Sequence, residues 1–383
     1  MEKGNVLVIG NSGVGKSTLI NAVLGEDVAV TGWGTEGTTS ELKIHENENI
    51  PFRLIDTVGF EATFLKDQQA INSVKKWSKN CAKEGKEDHQ INLIWFCVDG
   101  TRRKLFSRDL QVFLRATSMW KTVPIIVTIT KSYSVKERAE NIEMVKLAFT
   151  KQKNASRMPR EIIPVVASIY EIDDAVFSPP SGITELIEKT NELMPEGIQA
   201  GENDLAQFKL TRKRALSQTV VAATTTAGAI VGAVPIPFAD GAILSPIEVA
   251  MVNSLSQIYG VNKDEKSKLF FTSIVEVGTV GVAARAAISA LKMIPGINLG
   301  ASVLNAIIAG SIIAALGEGS IYVFEQIYLG NKSIEDIEWM KNLMESQFSS
   351  EFVKKVMKIA ESLTETSDPK TIAKNCINIF KNK

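Results

Sequence analysis

Short β-branched apolar runs alternate with charged segments of helical period through the first half of the chain. NVLVIG (5–10), ELKIHE (41–46), FRLID (52–56), NLIWFCVD (92–99), VPIIVTIT (123–130) and EIIPVVA (161–167) read as strands. Between them Lys16–Leu24, Gln68–Lys83, Arg108–Ala116 and Ser134–Thr150 carry helical spacing, and Gly182–Met194 closes the unit. Such alternation predicts an α/β fold, a doubly wound parallel sheet covered by helices, over residues 1–195.

The pattern then changes. Residues 195–204, PEGIQAGEND, are rich in glycine and charge, so 196–209 reads as a linker. An all-α hydrophobic helical domain is expected over 210–332, and charged C-terminal helices over 333–383. No charged residue occurs in 215–239 or in 293–317, two stretches of 25 residues. AVPIPFADG and KMIPGINLG set a proline turn beside each, which suggests a weak internal repeat of helical hairpins.

Such runs exceed the roughly 20 residues that a bilayer span needs. Two readings fit them. A pair of inserted spans would suit Thr211-Arg212-Lys213-Arg214, whose charge matches an anionic membrane face. A peripheral or soluble bundle would suit the Ser, Gln and four Thr of the first run and its many small residues. Asp240, Glu248 and Glu276 then serve as cap and hinge residues or as buried charges.

Composition narrows the classes. The chain has 383 residues, 45% hydrophobic and 22% charged, which excludes a small stapled scaffold and wholesale disorder. Lys+Arg and Asp+Glu are each 43, so a surface built throughout for nucleic acid is not expected. Three scattered cysteines, without paired spacing, fit a reducing compartment and no structural zinc. The first residues, MEKGNVLVIGNSG, lead straight into a glycine loop, so no signal peptide is expected and a cytoplasmic location is, free, peripheral or inserted at the cytoplasmic membrane.

That loop, Gly10-Asn11-Ser12-Gly13-Val14-Gly15-Lys16-Ser17, has the G-x-x-x-x-G-K-[ST] pattern between a strand and a helix. Its glycines let backbone amides of Asn11, Ser12, Gly13, Val14 and Gly15 close around phosphates, with Thr18 one step into the helix. Lys16 supplies a point charge to the terminal phosphates, and the Ser17 hydroxyl suits Mg2+. Asp56-Thr57-Val58-Gly59 ends the third strand: Asp56 would hold Mg2+ through water and the Gly59 amide would meet the γ phosphate. Between them, one threonine of 31–39 should complete the metal shell; Thr39 is favoured, then Thr38 and Thr35. Thr130-Lys131-Ser132-Tyr133 follows the fifth strand, where the Lys131 stem can lie over a base. Ala167-Ser168, after the last strand, would offer backbone amides to it.

In this order GNSGVGKS, EGTTSEL, DTVGF, TKSY and VVAS resemble the Era-like branch of translation-factor-related GTPases, over about half the chain. The hydrophobic remainder, with AVPIPFADGAILSPIEVAMVNSLSQIYG and ALGEGSIYVFEQIYLG, is similar to the helical domain of YcjF-type bacterial proteins. The resemblance implies a GTPase that binds GTP or GDP with Mg2+. It also implies a guanine-reading aspartate at 133, where this chain has tyrosine, and leaves guanine against adenine open. Potassium-activated relatives carry asparagine where this loop has Gly13, so potassium stimulation is not expected. Phe60 stands where Ras-like switches orient water, so hydrolysis should be slow unless an activating partner, a second protomer, or Arg102 or Arg103 assists. Two rival functions are a nucleotide-regulated membrane module with negligible hydrolysis and a ribosome-associated factor, the latter without an evident RNA-binding tail.

Overall fold

The buried run GNVLVIG forms β1 (Gly4–Gly10) at the centre of a seven-stranded sheet in a computed structural model. The structure describes residues 3–25, 29–31, 42–47, 50, 52–57, 72, 90–102, 107–152, 157–173, 176–195, 202–234, 245–261, 267–278 and 299–381. The further strands are β2 (Ala29–Thr31), β3 (Leu42–Glu46), β4 (Phe52–Thr57), β5 (Leu93–Asp99), β6 (Ile125–Thr130) and β7 (Glu161–Pro164). Their order is β2-β3-β4-β1-β5-β6-β7. Strands β4, β1, β5, β6 and β7 are mutually parallel. The chain leaves β1, fills one side, and returns to the other, so a crevice opens at the C-terminal end of β1, where doubly wound sheets bind ligands.

One edge departs from the all-parallel expectation: β3 runs antiparallel to β4, and β2 to β3. The five residues between β3 and β4 are too few for a crossover, which takes a dozen or more. Helices α1 (Lys16–Leu24), α2 (Ser107–Ala116), α3 (Arg138–Thr150) and α4 (Ile183–Glu192) belong to the same unit. The expected helix start at Ser134 is a 3-10 turn, Val135–Glu137, leading into α3. The expected helix 68–83 lies outside the described residues apart from Asn72. The sheet's core is apolar on both faces, with Phe96 stacked on Phe113 at a ring separation of 4.1 Å.

Contacts divide the chain into two compact units, 1–168 with 180–212 and 169–179 with 213–383. The cut falls inside one long helix, α5 (Glu202–Ala233), between Arg212 and Lys213. The stretch expected to be a linker is therefore helical from Glu202. Phe208, 4% exposed, gives it an apolar anchor, and Lys209 pairs with Glu188 at 2.9 Å.

The second unit holds a short hairpin, β8 (Tyr170–Asp173) with β9 (Val176–Ser178), and the remaining helices. These are α6 (Ser245–Tyr259), α7 (Lys268–Gly278), α8 (Ala301–Tyr328), α9 (Ile337–Gln347), α10 (Ser350–Glu361) and α11 (Pro369–Phe380). α8 packs against α6, α7, α9, α10 and α11, and its largely apolar surface follows from that burial. It lies antiparallel to the second half of α5: Arg214 meets Glu325 at one end, and a Cβ on Gly232 would come within 2.6 Å of the Ala309 Cβ at the other. Two helical stretches, Leu205–Ala233 and Ala301–Tyr328, are long and apolar enough to cross a membrane. Of their most apolar windows, 50% and 94% respectively are buried within the protein, and a core helix meets the same criterion. Asp240 lies outside the described residues, Glu276 is exposed, and Glu248 is buried.

Candidate nucleotide site

The loop between β1 and α1 follows from its glycines. A Cβ on Gly10 would stand 2.6 Å from the Cys97 carbonyl, so only glycine lets the loop leave β1 against β5. Gly15 caps α1 at φ 98, in the left-handed region open to glycine. Gly15 has no side chain to cap α1, which leaves the amides of its first turn open to an anion.

Lys16 is buried and donates to the carbonyls of Gly10 at 3.0 Å and Asn11 at 3.2 Å. Burial lowers its pKa, opposed by the charge of Asp56. Ser12, Gly13, Ser17 and Thr18 are exposed around it. Asp56 sits one residue from the end of β4, in register with Val8 of β1, and so on the same crevice. Ser17 and Asp56 supply a hydroxyl and a carboxylate, the hard oxygen donors that Mg2+ prefers, with phosphate and water to complete the shell. Among the described residues no cluster of three His, Cys, Asp or Glu forms a separate metal centre. Thr35, Thr38, Thr39, Gly59, Phe60 and Arg103 lie outside the described residues, so the expected switch residues have no geometry here.

The ends of β5 and β6 close the crevice. The Thr130 hydroxyl reaches the carbonyls of Val14 and, at 3.0 Å, Val98. Lys131 donates to the Gly13 carbonyl at 2.7 Å and to Asp99 Oδ2 at 2.9 Å. Just past the ends of β6 and β7 the Ser132 amide donates to the Val165 carbonyl, which brings Ala167 and Ser168 to the same end of the sheet as Lys131. Asp99 escaped the sequence reading. Burial alone would raise its pKa, yet hydrogen bonds from Thr101 and Lys131 carry it below the usual carboxylate range. An acid at the C-terminal end of a parallel strand was the signal available.

Residues 5–131 match the family model described as the 50S ribosome-binding GTPase, and residues 201–351 match a domain of unknown function, DUF697. GTPase Era of Vibrio parahaemolyticus is 26% identical over 139 residues, covering 36% of this chain and 39% of that protein. GTPase Era of Pseudomonas entomophila is 27% identical over 157 residues, covering 41% and 48%. The chain thus spans less than half the length of these curated relatives. Among solved structures, the cytosolic domain of the T. maritima FeoB iron transporter in a GDP form covers 94% of this chain and 98% of its own, at 14% identity and a TM-score of 0.33. A structure of Era with MgGDPNP and a segment of 16S ribosomal RNA covers 57% and 68%, at 20% identity and a TM-score of 0.35. Residues 5–131 are therefore a P-loop GTPase domain related to Era, followed over 201–351 by a helical region of the DUF697 type.

Proposed function

We propose that the protein binds GTP and GDP with Mg2+, hydrolyses GTP slowly, and passes its nucleotide state to the helical unit. The observation that carries this is the C-terminal end of β1: a helix start at Gly15, which has no side chain to cap it, the buried Lys16 ammonium beside it, and Asp56 in register with Val8 on the neighbouring strand. Lys16 is held by two carbonyls and exchanges them for phosphate oxygens when the nucleotide arrives. Mg2+ on Ser17 and Asp56 would neutralise charge on the terminal phosphates, with Thr39 or Thr38 and the Gly59 amide completing the site. Water attacks the γ phosphorus, the bond to the bridging β–γ oxygen breaks, and GDP and phosphate leave. Lys131 covers the base with its stem, and the Ala167 and Ser168 amides address its edge. Coupling to the helical unit is supported by α5, which contributes residues to both units. A membrane surface, a second copy of the chain or an activating protein are the partners this reading admits.

Nucleotide binding and phosphate release by the purified chain, with GTP against ATP and with Lys16→Ala, test it. GTP preference abolished by the variant is expected. Equal use of ATP would overturn the base assignment and leave the phosphate chemistry standing; no binding by the wild type would overturn both. A ribosome-associated role is the second reading, favoured by the description of the matching family model. Salt-sensitive cosedimentation with ribosomal particles is its test.

A further inference from the structure

Asp99 stands at the centre of a lock that ties three loops. Its Oδ1 accepts from the Thr101 amide at 3.0 Å and the Thr101 hydroxyl at 2.6 Å. Its Oδ2 accepts from Lys131 Nζ at 2.9 Å, and the same ammonium donates to the Gly13 carbonyl at 2.7 Å. Two of the three ammonium protons are thereby spent on fixed acceptors, one on β5 and one on the phosphate loop. The Lys131 backbone itself has φ 54, the left-handed region that side chains other than glycine enter rarely. Such a conformation persists only where its surroundings hold it. The Thr130 hydroxyl on one side and a Tyr133 N–H bond to the Lys131 carbonyl on the other do so, at 3.0 Å to Val98 and 2.8 Å respectively.

The lock decides which part of Lys131 is offered to a ligand. With the ammonium drawn toward Gly13 and Asp99, the stem runs beside the phosphate loop, and its Cε lies 3.9 Å from where a Gly15 Cβ would be. The charged end cannot then swing to a base edge. The carboxylate of Asp99 is 9% exposed and the Lys131 side chain 31%, so solvent competes little at the acid and moderately at the base. An ion pair on an open surface would be held far less firmly.

We propose that Asp99 is a positioning residue for nucleobase binding: by anchoring the Lys131 ammonium it fixes the Lys131 stem as one wall of the base slot. This wall carries unusual weight here because Tyr133 cannot provide the pair of acceptors that a carboxylate would offer a guanine edge. The proposal rests on the nucleotide-binding reading above, and adds a residue that pattern and comparison leave unassigned.

The test is a double-mutant cycle read with two probes, GDP and inorganic tripolyphosphate, the second reporting the phosphate loop without a base. Binding is measured for wild type, Asp99→Ala, Asp99→Asn, Lys131→Met and the double variant Asp99→Ala with Lys131→Met, after thermal melts show that each folds. Asp99→Ala is expected to weaken GDP about tenfold, the scale of one charged hydrogen bond, and tripolyphosphate less than about twofold. Asp99→Asn keeps one acceptor oxygen, which can serve Thr101 or Lys131 but not both, and sets an NH2 donor in place of the other, so it should recover little of the loss. The double variant should be no weaker than the worse single one, since both changes open the same lock. Unchanged GDP affinity in Asp99→Ala, equal losses for the two probes, or additive losses in the double variant would each sink the proposal. A wild type that binds tripolyphosphate but no guanine nucleotide would instead overturn the guanine reading on which it rests.

Discussion

Glu248 shows what a single residue can cost a fold. It lies in the first turn of α6, is 1% exposed, and neither carboxylate oxygen has a hydrogen-bond partner among the described residues. The basic side chains on the neighbouring α5 are committed elsewhere, Lys213 to the Ile258 carbonyl and Arg214 to Glu325. Burial therefore pushes the Glu248 carboxyl up to about 7 from its ordinary 4.5. Below the unfolded value the group is protonated in both states and costs little. As pH rises from about 4.5 to about 7, the unfolded chain gives up the proton while the folded one retains it, so stability falls, by about 3 kcal/mol in total, and then levels off. Glu248→Gln should flatten this slope. Melting of the helical unit at pH 5 and pH 8 measures it, and a slope as steep in the variant as in the wild type would refute the account. The residue scale also shows what the sequence made legible. Lys16 and Ser17 stand in a pattern whose spacing fixes their chemistry, whereas Asp99 owes its role to Lys131, 32 positions away, and no local pattern announces such a pairing.

Elements are legible where period and length are strong. The helix read as Lys16–Leu24 has those bounds, and β5 and β6 follow their apolar runs to within two residues. The strands missed were β2, β8 and β9, three or four residues each, too short to show alternation. The basic run at 211–214 is a different case. Its sequence would suit an anionic membrane face, and in the fold its three cations have partners inside the chain: Arg212 on α1, Lys213 on Ile258 and over the Tyr328 ring, Arg214 on Glu325. Arg212 makes α1 dependent on distant sequence. Its guanidinium donates twice to the Ala22 carbonyl, at 3.1 and 2.7 Å, which satisfies an open C-terminal carbonyl of the helix. Gly25, at φ 100, ends the helix, and a Cβ there would come within 2.9 Å of the Arg212 guanidinium. Gly25→Ala is therefore strained by backbone and by contact, and should destabilise the nucleotide unit by roughly 1–2 kcal/mol or more. Arg212→Ala should cost about 1–2 kcal/mol on its own. Together they should cost less than the sum, because removing the guanidinium relieves the contact. Urea unfolding followed by Trp fluorescence checks this, and strict additivity would show that the two residues do not meet in solution.

At the scale of the whole molecule the question is where the apolar helices of the second unit go. From sequence both a pair of spans and an enclosed bundle stay open, since hydropathy counts side chains and not their neighbours. The structure supplies neighbours. α8 places Val303, Ile307 and Ile312 in one cluster with Phe352, Val356, Ile372 and Phe380 of the C-terminal helices, which the sequence shows only as charged segments. Its two carboxylates are 4% and 3% exposed: Glu318 accepts from Gln218 at 2.7 Å, and Glu325 takes both Arg214 bonds, at 2.7 and 2.6 Å, and one from the Tyr259 hydroxyl. Drawing α8 into hydrocarbon would break these pairs and this packing, and each carboxylate carried inside would add a penalty of about 3 kcal/mol. A lipid surface can touch such a bundle without unpacking it, because the apolar side chains Ile230 and Val234 near the end of α5 are 36% and 48% exposed. The expected behaviour is that of a peripheral protein. Membranes from cells producing the full chain, washed in alkaline carbonate, should release it, and the released protein should still bind nucleotide. Retention through the wash until detergent is added would mean that the helices leave the bundle for the bilayer, and that the enclosed arrangement of α8 is not the one that operates on membranes.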